Sequence, residues 1–332
     1  MLDSMGIGLI MPVMPDLIMD LGGDNLSKAA TWGGALVATF AVMQFLCGPT
    51  MGSLSDRFGR RPVLLISLAV MAIDYLIMAL AQAMWILVIG RIIGGITSAT
   101  QSTANAYVAD ISKPEEKAQN FGLIGAAFGI GFVLGPITGG LLSEFGPRAP
   151  FYAAAALSAA NAIFGFLILP ETVTDKIRRP FHWRRANPFG AFRQISKLGG
   201  LSRLLLVFFF HQIAFFTYPS VWAYYTREAF MWDATMVGLS LGAFGFCSAI
   251  VQGGLMRFII PRFGEHNTVL VGLSLTALAF LGYVFAYEGW HPFILVGVSA
   301  LGIIAGPALQ GIMSRTAGDD QRGGHRHHYQ PA

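Results

Sequence analysis

Charged side chains are scarce in this 332-residue chain: Asp, Glu, Lys and Arg make up 12% of it, about half the share in an ordinary soluble domain. That scarcity excludes a water-exposed surface of normal size. Cysteine is nearly absent as well. Cys47 and Cys247 lie inside apolar runs in different halves, which rules out a disulfide framework and a thiolate metal cluster and predicts two buried structural thiols. No nucleophile with its base, metal-ligand cluster or phosphate-binding glycine loop is visible, so the sequence offers no enzyme chemistry and calls for no cofactor.

Apolar residues fill the space, at 54% of the chain with a mean hydropathy of +0.59. They form runs of about twenty, each long enough to cross roughly 30 Å of hydrocarbon as a helix. Ten such runs are expected, near 2–21, 31–51, 63–82, 84–108, 119–142, 150–169, 204–226, 235–259, 268–287 and 291–314. A stretch such as "VLLISLAVMAI" has no polar face, which argues against a large soluble core. The fold class is therefore an all-α membrane protein.

The formal net charge of +4 invites a nucleic-acid reading, but its distribution points to the lipid bilayer. Of the 22 Lys and Arg, eighteen fall in the loops after even-numbered runs or in the tail, three fall after odd-numbered runs, and Arg91 lies inside a run. Positive residues stay on the cytoplasmic side. Both termini are therefore expected to be cytoplasmic, and no nucleic-acid partner is needed.

Six runs (1–170) precede a basic cytoplasmic linker (171–203, with "DKIRRPFHWRRANP"). Four more runs (204–314) and a tail (315–332) follow it. The linker's charges suit topology and anionic lipid headgroups. A weak repeat crosses it at an offset of 205. "MGSLSDRFGRRPVLLISL" (51–68) pairs Met51, Arg57, Phe58, Gly59, Leu65 and Leu68 with Met256, Arg262, Phe263, Gly264, Leu270 and Leu273, as two related helix bundles would.

A charge at a helix centre costs about 2.5 to 3.5 kcal/mol on the insertion scale, so the few present carry information. Asp74 lies about 17 Å from the positive edge of the third run, and Arg91 about 20 Å from that edge in the fourth. A structural ion pair and a proton-trading carboxylate are both open at this depth. Pro12 and Pro15 interrupt the first run. Gly131, Gly135, Pro136, Gly139 and Gly140 give the fifth a small-xxx-small ridge with a breaker. Gln44, Gln252 and Gln310 are candidate hydrogen-bonding groups for a substrate, or else join helices. His211 reads as a local hydrogen-bonding group.

These residues carry a family resemblance. Gly52, Leu54, Asp56, Arg57, Gly59, Arg60 and Arg61 resemble the loop signature of the major facilitator superfamily. "GRIIGGITSAT" with Arg91 is similar to its fourth-helix arginine motif, and the glycines from 131 to 140 are similar to the fifth-helix motif of its antiporters. "LDSMGIGLIMPVMPDL", "DYLIMALA" and "GPALQGIMSR" are similar, more narrowly, to the tetracycline/proton antiporter branch. The resemblance implies a facilitator fold in the bacterial inner membrane, with six helices in one bundle and four of an incomplete second. It implies exchange of protons for a small amphipathic, drug-like substrate by alternating access, with the proton gradient as energy source. It assigns proton coupling to Asp74, Asp3 and Arg91. It assigns a cytoplasmic gate to Gly52, Asp56, Arg57, Gly59, Arg60, Arg61 and Asp110, in which Asp56 meets the amino end of a helix in the other half and the arginines pair with acids such as Asp110. Gln44 and Gln252 match positions of the branch.

The match departs from the branch in two places. Its ninth-span aspartate falls on Thr276 and an eighth-span histidine of some members falls on Ser248, so no acid remains deep in the second half. The end "GHRHHYQPA" also leaves the family pattern, which predicts a shortened form. The expected function is thus an efflux carrier, against a metabolite exporter or proton symporter on the same scaffold, or a non-transporting fragment.

Overall fold

The computed structural model describes residues 1–22, 25–98, 100–113, 116–173, 187–188 and 201–326. Most of the basic linker and the last six residues lie outside them. Among the described residues the chain is helical throughout, with no strand. Hydrocarbon offers no partner to a backbone N–H or C=O, so each segment must satisfy its own.

The first apolar run is α1 (Leu2–Ile10) and α2 (Met14–Asp20), broken where Pro12 sits and restarted with Pro15 in the first turn. Then come α3 (Leu26–Phe58), α4 (Arg60–Leu80), α5 (Met84–Thr97), α6 (Thr100–Ile111), α7 (Lys117–Leu142) and α8 (Ala149–Ile168). The later part holds α9 (Leu201–Phe230), α10 (Ala234–Ile250), a π-helical turn (Val251–Leu255), α11 (Met256–Val284), α12 (His291–Gly302) and α13 (Ala305–Arg326). Asn25 caps α3, its side chain accepting from the Lys28 N–H at 2.9 Å.

Eight helical stretches are long and apolar enough to cross a membrane, against the ten apolar runs in the sequence. Two features account for the difference. The first run is two short pieces, and Ala234–Val284 counts once although its 51 residues would span about 76 Å. Gly264, at φ +72° and ψ 164°, breaks that stretch.

The polar stretch 52–62, expected as a loop, is almost wholly helical. Helix α3 runs on to Phe58 and α4 begins at Arg60, leaving Gly59 as the sole break, with φ +117° and ψ 151°. Asp56 and Arg60 are four residues apart and form an ion pair, which offsets the cost of carrying charge to the helix end. The two cysteines also differ from expectation. Both are free but half-buried, because apolar side chains here point outward as well as inward. Leu167 is 74% exposed and Val284 73%, as suits surfaces whose solvent is lipid.

The contacts divide the chain into two compact units: Met1–Pro188 with Ser220–Gly242, and Phe189–Pro219 with Ala243–Ala332. Helix α9 thus contributes to both. In the first, α1 packs on α7 and α8, α4 on α8 and α5, and α3 on α5, around a core that includes Leu17, Leu36, Met78 and Phe151. In the second, α11 packs on α12 and α13.

Candidate functional site

The deepest charges in the first unit are Asp74 on α4, with no exposed surface, and Arg91 on α5, 8% exposed. They form an ion pair through Arg91 Nη2 and Asp74 Oδ2. Two glycines of α5 make room for the acid: a Cβ on Gly90 would stand 2.8 Å from Asp74 Oδ1, and one on Gly94 2.5 Å from Oδ2. The guanidinium also touches Met78 Sδ at 2.7 Å and lies over the Phe40 ring of α3 at 5.2 Å. Asp74 Oδ1 and Arg91 Nε have no hydrogen-bond partner among the described residues. The site is therefore a carboxylate with one oxygen held and one free, in surroundings where an unmatched charge is expensive. Proton gain or loss at that free oxygen changes how tightly α4 and α5 are held together.

A second cluster forms where α3 meets α4. Arg60 pairs with Asp56, donates from Nε to Asp110 Oδ2 at 3.2 Å and from Nη1 to Ser55 Oγ at 2.6 Å. Arg61 donates to the Phe166 carbonyl at 2.6 Å and lies over its ring, while Arg57 lies over Phe58. Sequence reasoning missed Glu171, the organiser of this cluster. Its carboxylate accepts from the backbone N–H groups of Arg60 (2.9 Å) and Arg61 (3.2 Å), and from those of Thr172 and Val173. An anion therefore sits at the amino end of α4, where the helix dipole favours it. The space for it exists because residue 59 is Gly: a Cβ there would stand 2.2 Å from Glu171 Oε2. The signal was present as an acid directly after the sixth apolar run, in "LPET". Nothing lies within 4 Å of a Cβ built on Gly52, so close approach is not its role in this arrangement.

The glycine ridge of α7 packs against α1. Cβ atoms on Gly131, Gly135 and Gly139 would meet Ser4 Oγ, the Met5 carbonyl and the Leu9 carbonyl at 2.2, 2.7 and 2.1 Å, while one on Gly140 would meet the Ala234 carbonyl at 2.7 Å. Pro136 lies within α7 without ending it. Helix α1 also carries Asp3, whose side chain lies outside the described residues.

Gln44 donates to the Ser98 carbonyl at 3.4 Å. Gln252 falls in the π-helical turn and Gln310 on α13, both exposed. In the second unit His211 is 8% exposed and lines a recess with Phe215, Tyr218, Phe244, Thr276 and Phe280. Thr276 Oγ1 is turned to its own helix, donating to the Gly272 carbonyl at 3.0 Å. Ser248 is buried with no hydrogen-bond partner for its Oγ among the described residues.

Residues 1–324 match the sequence model of the Major Facilitator Superfamily. The chain belongs to that superfamily. It is 43% identical to the class C tetracycline resistance protein of Escherichia coli over 97% of its own length and 81% of that relative's. To the class G protein of Vibrio anguillarum it is 38% identical, with the same coverage. Among solved structures it resembles the human organic anion transporter MFSD10, with a TM-score of 0.64, 27% identity, and coverage of 95% of this chain and 86% of that one. These likenesses agree with the all-helical fold and place the Asp74–Arg91 pair in a superfamily member embedded in a membrane.

Proposed function

We propose that this superfamily member exports an amphipathic, drug-like compound from the bacterial cytoplasm in exchange for protons, with tetracyclines the first class to test. The observation that carries the reading is the buried Asp74–Arg91 pair, in a chain 43% identical to a tetracycline resistance protein over nearly its whole length. In this reading Asp74 alternates between pairing with Arg91 and carrying a proton on its free oxygen. Protonation leaves the arginine's charge unmatched in a low-dielectric interior, so proton occupancy is coupled to how α4 and α5 pack. The Arg60, Asp56, Asp110 and Glu171 cluster acts as the cytoplasmic gate, and the α7 ridge lets α1 stay close while the bundle rocks. Energy comes from the proton gradient, with no bound cofactor.

Thr276, in place of an acid, supports a substrate range wider than tetracycline. Uptake into everted membrane vesicles, compared across a panel of drugs with and without a pH gradient, tests the reading; uptake of every compound at the level of vesicles lacking the protein overturns it. The charge asymmetry further supports an orientation with both ends cytoplasmic. Reporter fusions after Lys28, Arg61, Lys197 and Ala332 are expected to read outside, inside, inside and inside.

A further inference from the structure

At the end of α3 opposite Gly59, a corner formed by the last turns of α9 and the start of α10 lies against the N-terminal helices of the same unit. Its packing uses few projecting side chains. A Cβ on Gly238 would stand 2.3 Å from the Pro136 carbonyl, and one on Gly33 2.0 Å from the Tyr224 hydroxyl. Thr235 Oγ1 donates to the Gly140 carbonyl at 3.2 Å. Surfaces of this kind meet backbone to backbone, with little interlocking to keep them together. The Tyr224 hydroxyl is buried without a hydrogen-bond partner among the described residues, a cost that parting of the surfaces would relieve.

Across this corner runs a two-pronged ion pair. Arg227, in the last turn of α9, donates to both oxygens of Asp16 in the first turn of α2, with Nη2 to Oδ2 at 2.7 Å. The partners are 211 positions apart in sequence, and their side chains are 15% and 30% exposed. Helix α2 is itself tied down at its other end, where Asp20 pairs with Arg148 at 3.0 Å. Arg148 also donates to the Ala79 and Ala81 carbonyls at 2.9 and 2.6 Å. Asp16 is thus a fixed post, and Arg227 is the group on the α9–α10 corner that reaches it.

We propose that Asp16 and Arg227 form a latch that keeps this end of the unit shut, and that the latch must part for the transport pathway to open there. A planar guanidinium fork on a carboxylate suits the task, being strong when aligned and lost in one step when the helices separate. The proposal rests on the transport reading, but its test does not use transport.

The test uses the full chain in proteoliposomes, with Cys47 and Cys247 changed to Ser and a reporter introduced by Ala29→Cys. Ala29 has no exposed surface and shares a core cluster with Tyr224 and Ala234, so it becomes reachable only if the corner lifts. Labelling by a membrane-impermeant maleimide is followed without substrate or gradient. Asp16→Asn and Arg227→Gln are each expected to speed labelling on the order of tenfold, the shift in an opening equilibrium set by one charge-assisted pair. The reversed pair, Asp16→Arg with Arg227→Asp, is expected to bring the rate back toward that of the parent. Single variants that label at the parent's rate, or a reversed pair that labels as fast as the singles, would overturn the latch. A chain that labels as expected yet exports nothing keeps the latch and loses the export reading, so the two failures are distinguishable.

Discussion

The turns at Gly59 and Gly264 share a backbone and differ in everything else. Both glycines combine a positive φ with an extended ψ, +117° and 151° against +72° and 164°, at positions the sequence repeat pairs. The residue after each turn is Arg60 in one and Glu265 in the other. Arg60 faces the acids Asp56 and Asp110, whereas Glu265 faces Arg315. The helices that follow diverge further. Fifteen residues past Gly59 comes Asp74, and fifteen past Gly264 comes Ala279; both are fully buried. The turn therefore belongs to the shared architecture, and the charges were added to one copy. That is the pattern expected when fold is set by backbone geometry and function by a few side chains placed on it.

The largest effect should come from erasing the difference at depth. Asp74→Asn is expected to reduce pH-gradient-driven export to the level of vesicles lacking the protein, while the chain still reaches the membrane. Export that stays proportional to the gradient in this variant would move the proton role elsewhere, with Asp3 next in line. Imposing the difference on the other copy should instead damage the fold. Ala279→Asp buries an acid where α10 and α12 offer no arginine or lysine, a loss of roughly 3 to 5 kcal/mol for an unmatched buried charge, read as a fall in membrane-inserted protein and in thermal midpoint.

The turns themselves come next. Gly264→Ala has open space around its Cβ and should cost about 1 to 2 kcal/mol from the left-handed backbone alone. Gly59→Ala must also displace the Glu171 carboxylate from the end of α4, which adds about 1 kcal/mol for a lost helix cap. Equal melting shifts for the two would show that Glu171 contributes nothing there. The smallest effect belongs to Thr276→Val, since Oγ1 bonds only within its own helix. A stability change within about 0.5 kcal/mol and export altered less than about twofold are expected, and a larger loss of export would give this position a role in substrate contact.

Some of the candidate site was legible and some was not, for physical reasons that differ residue by residue. Asp74 and Arg91 stood out because charge in an apolar run is costly, and their matched depth anticipated the pair. Asp110 was named as an arginine partner only through resemblance, and the structure pairs it with Arg60. Glu171 looked like an ordinary interfacial acid, since nothing local marks a carboxylate that caps a helix more than a hundred residues away. Asp16 and Arg227 were invisible as a pair, each being unremarkable at the end of its own helix. Gly90 and Gly94 read as packing residues of α5, and only the fold turned the space above them toward the Asp74 carboxylate.

The sequence by itself determined that this is a helical membrane protein with a repeated turn, because hydrophobic length, charge asymmetry and glycine placement act locally along the chain. It also determined which charge had to be buried with a partner, because the penalty for an unmatched ion in hydrocarbon depends on depth and hardly on fold. Only the tertiary structure decided where α3 truly ends, which acid caps α4, how close α7 comes to α1, and that Arg227 reaches Asp16. Those contacts join residues from 50 to 211 positions apart. Which of many possible partners meet at such separations is chosen by helix packing, for which one-dimensional spacing has no measure.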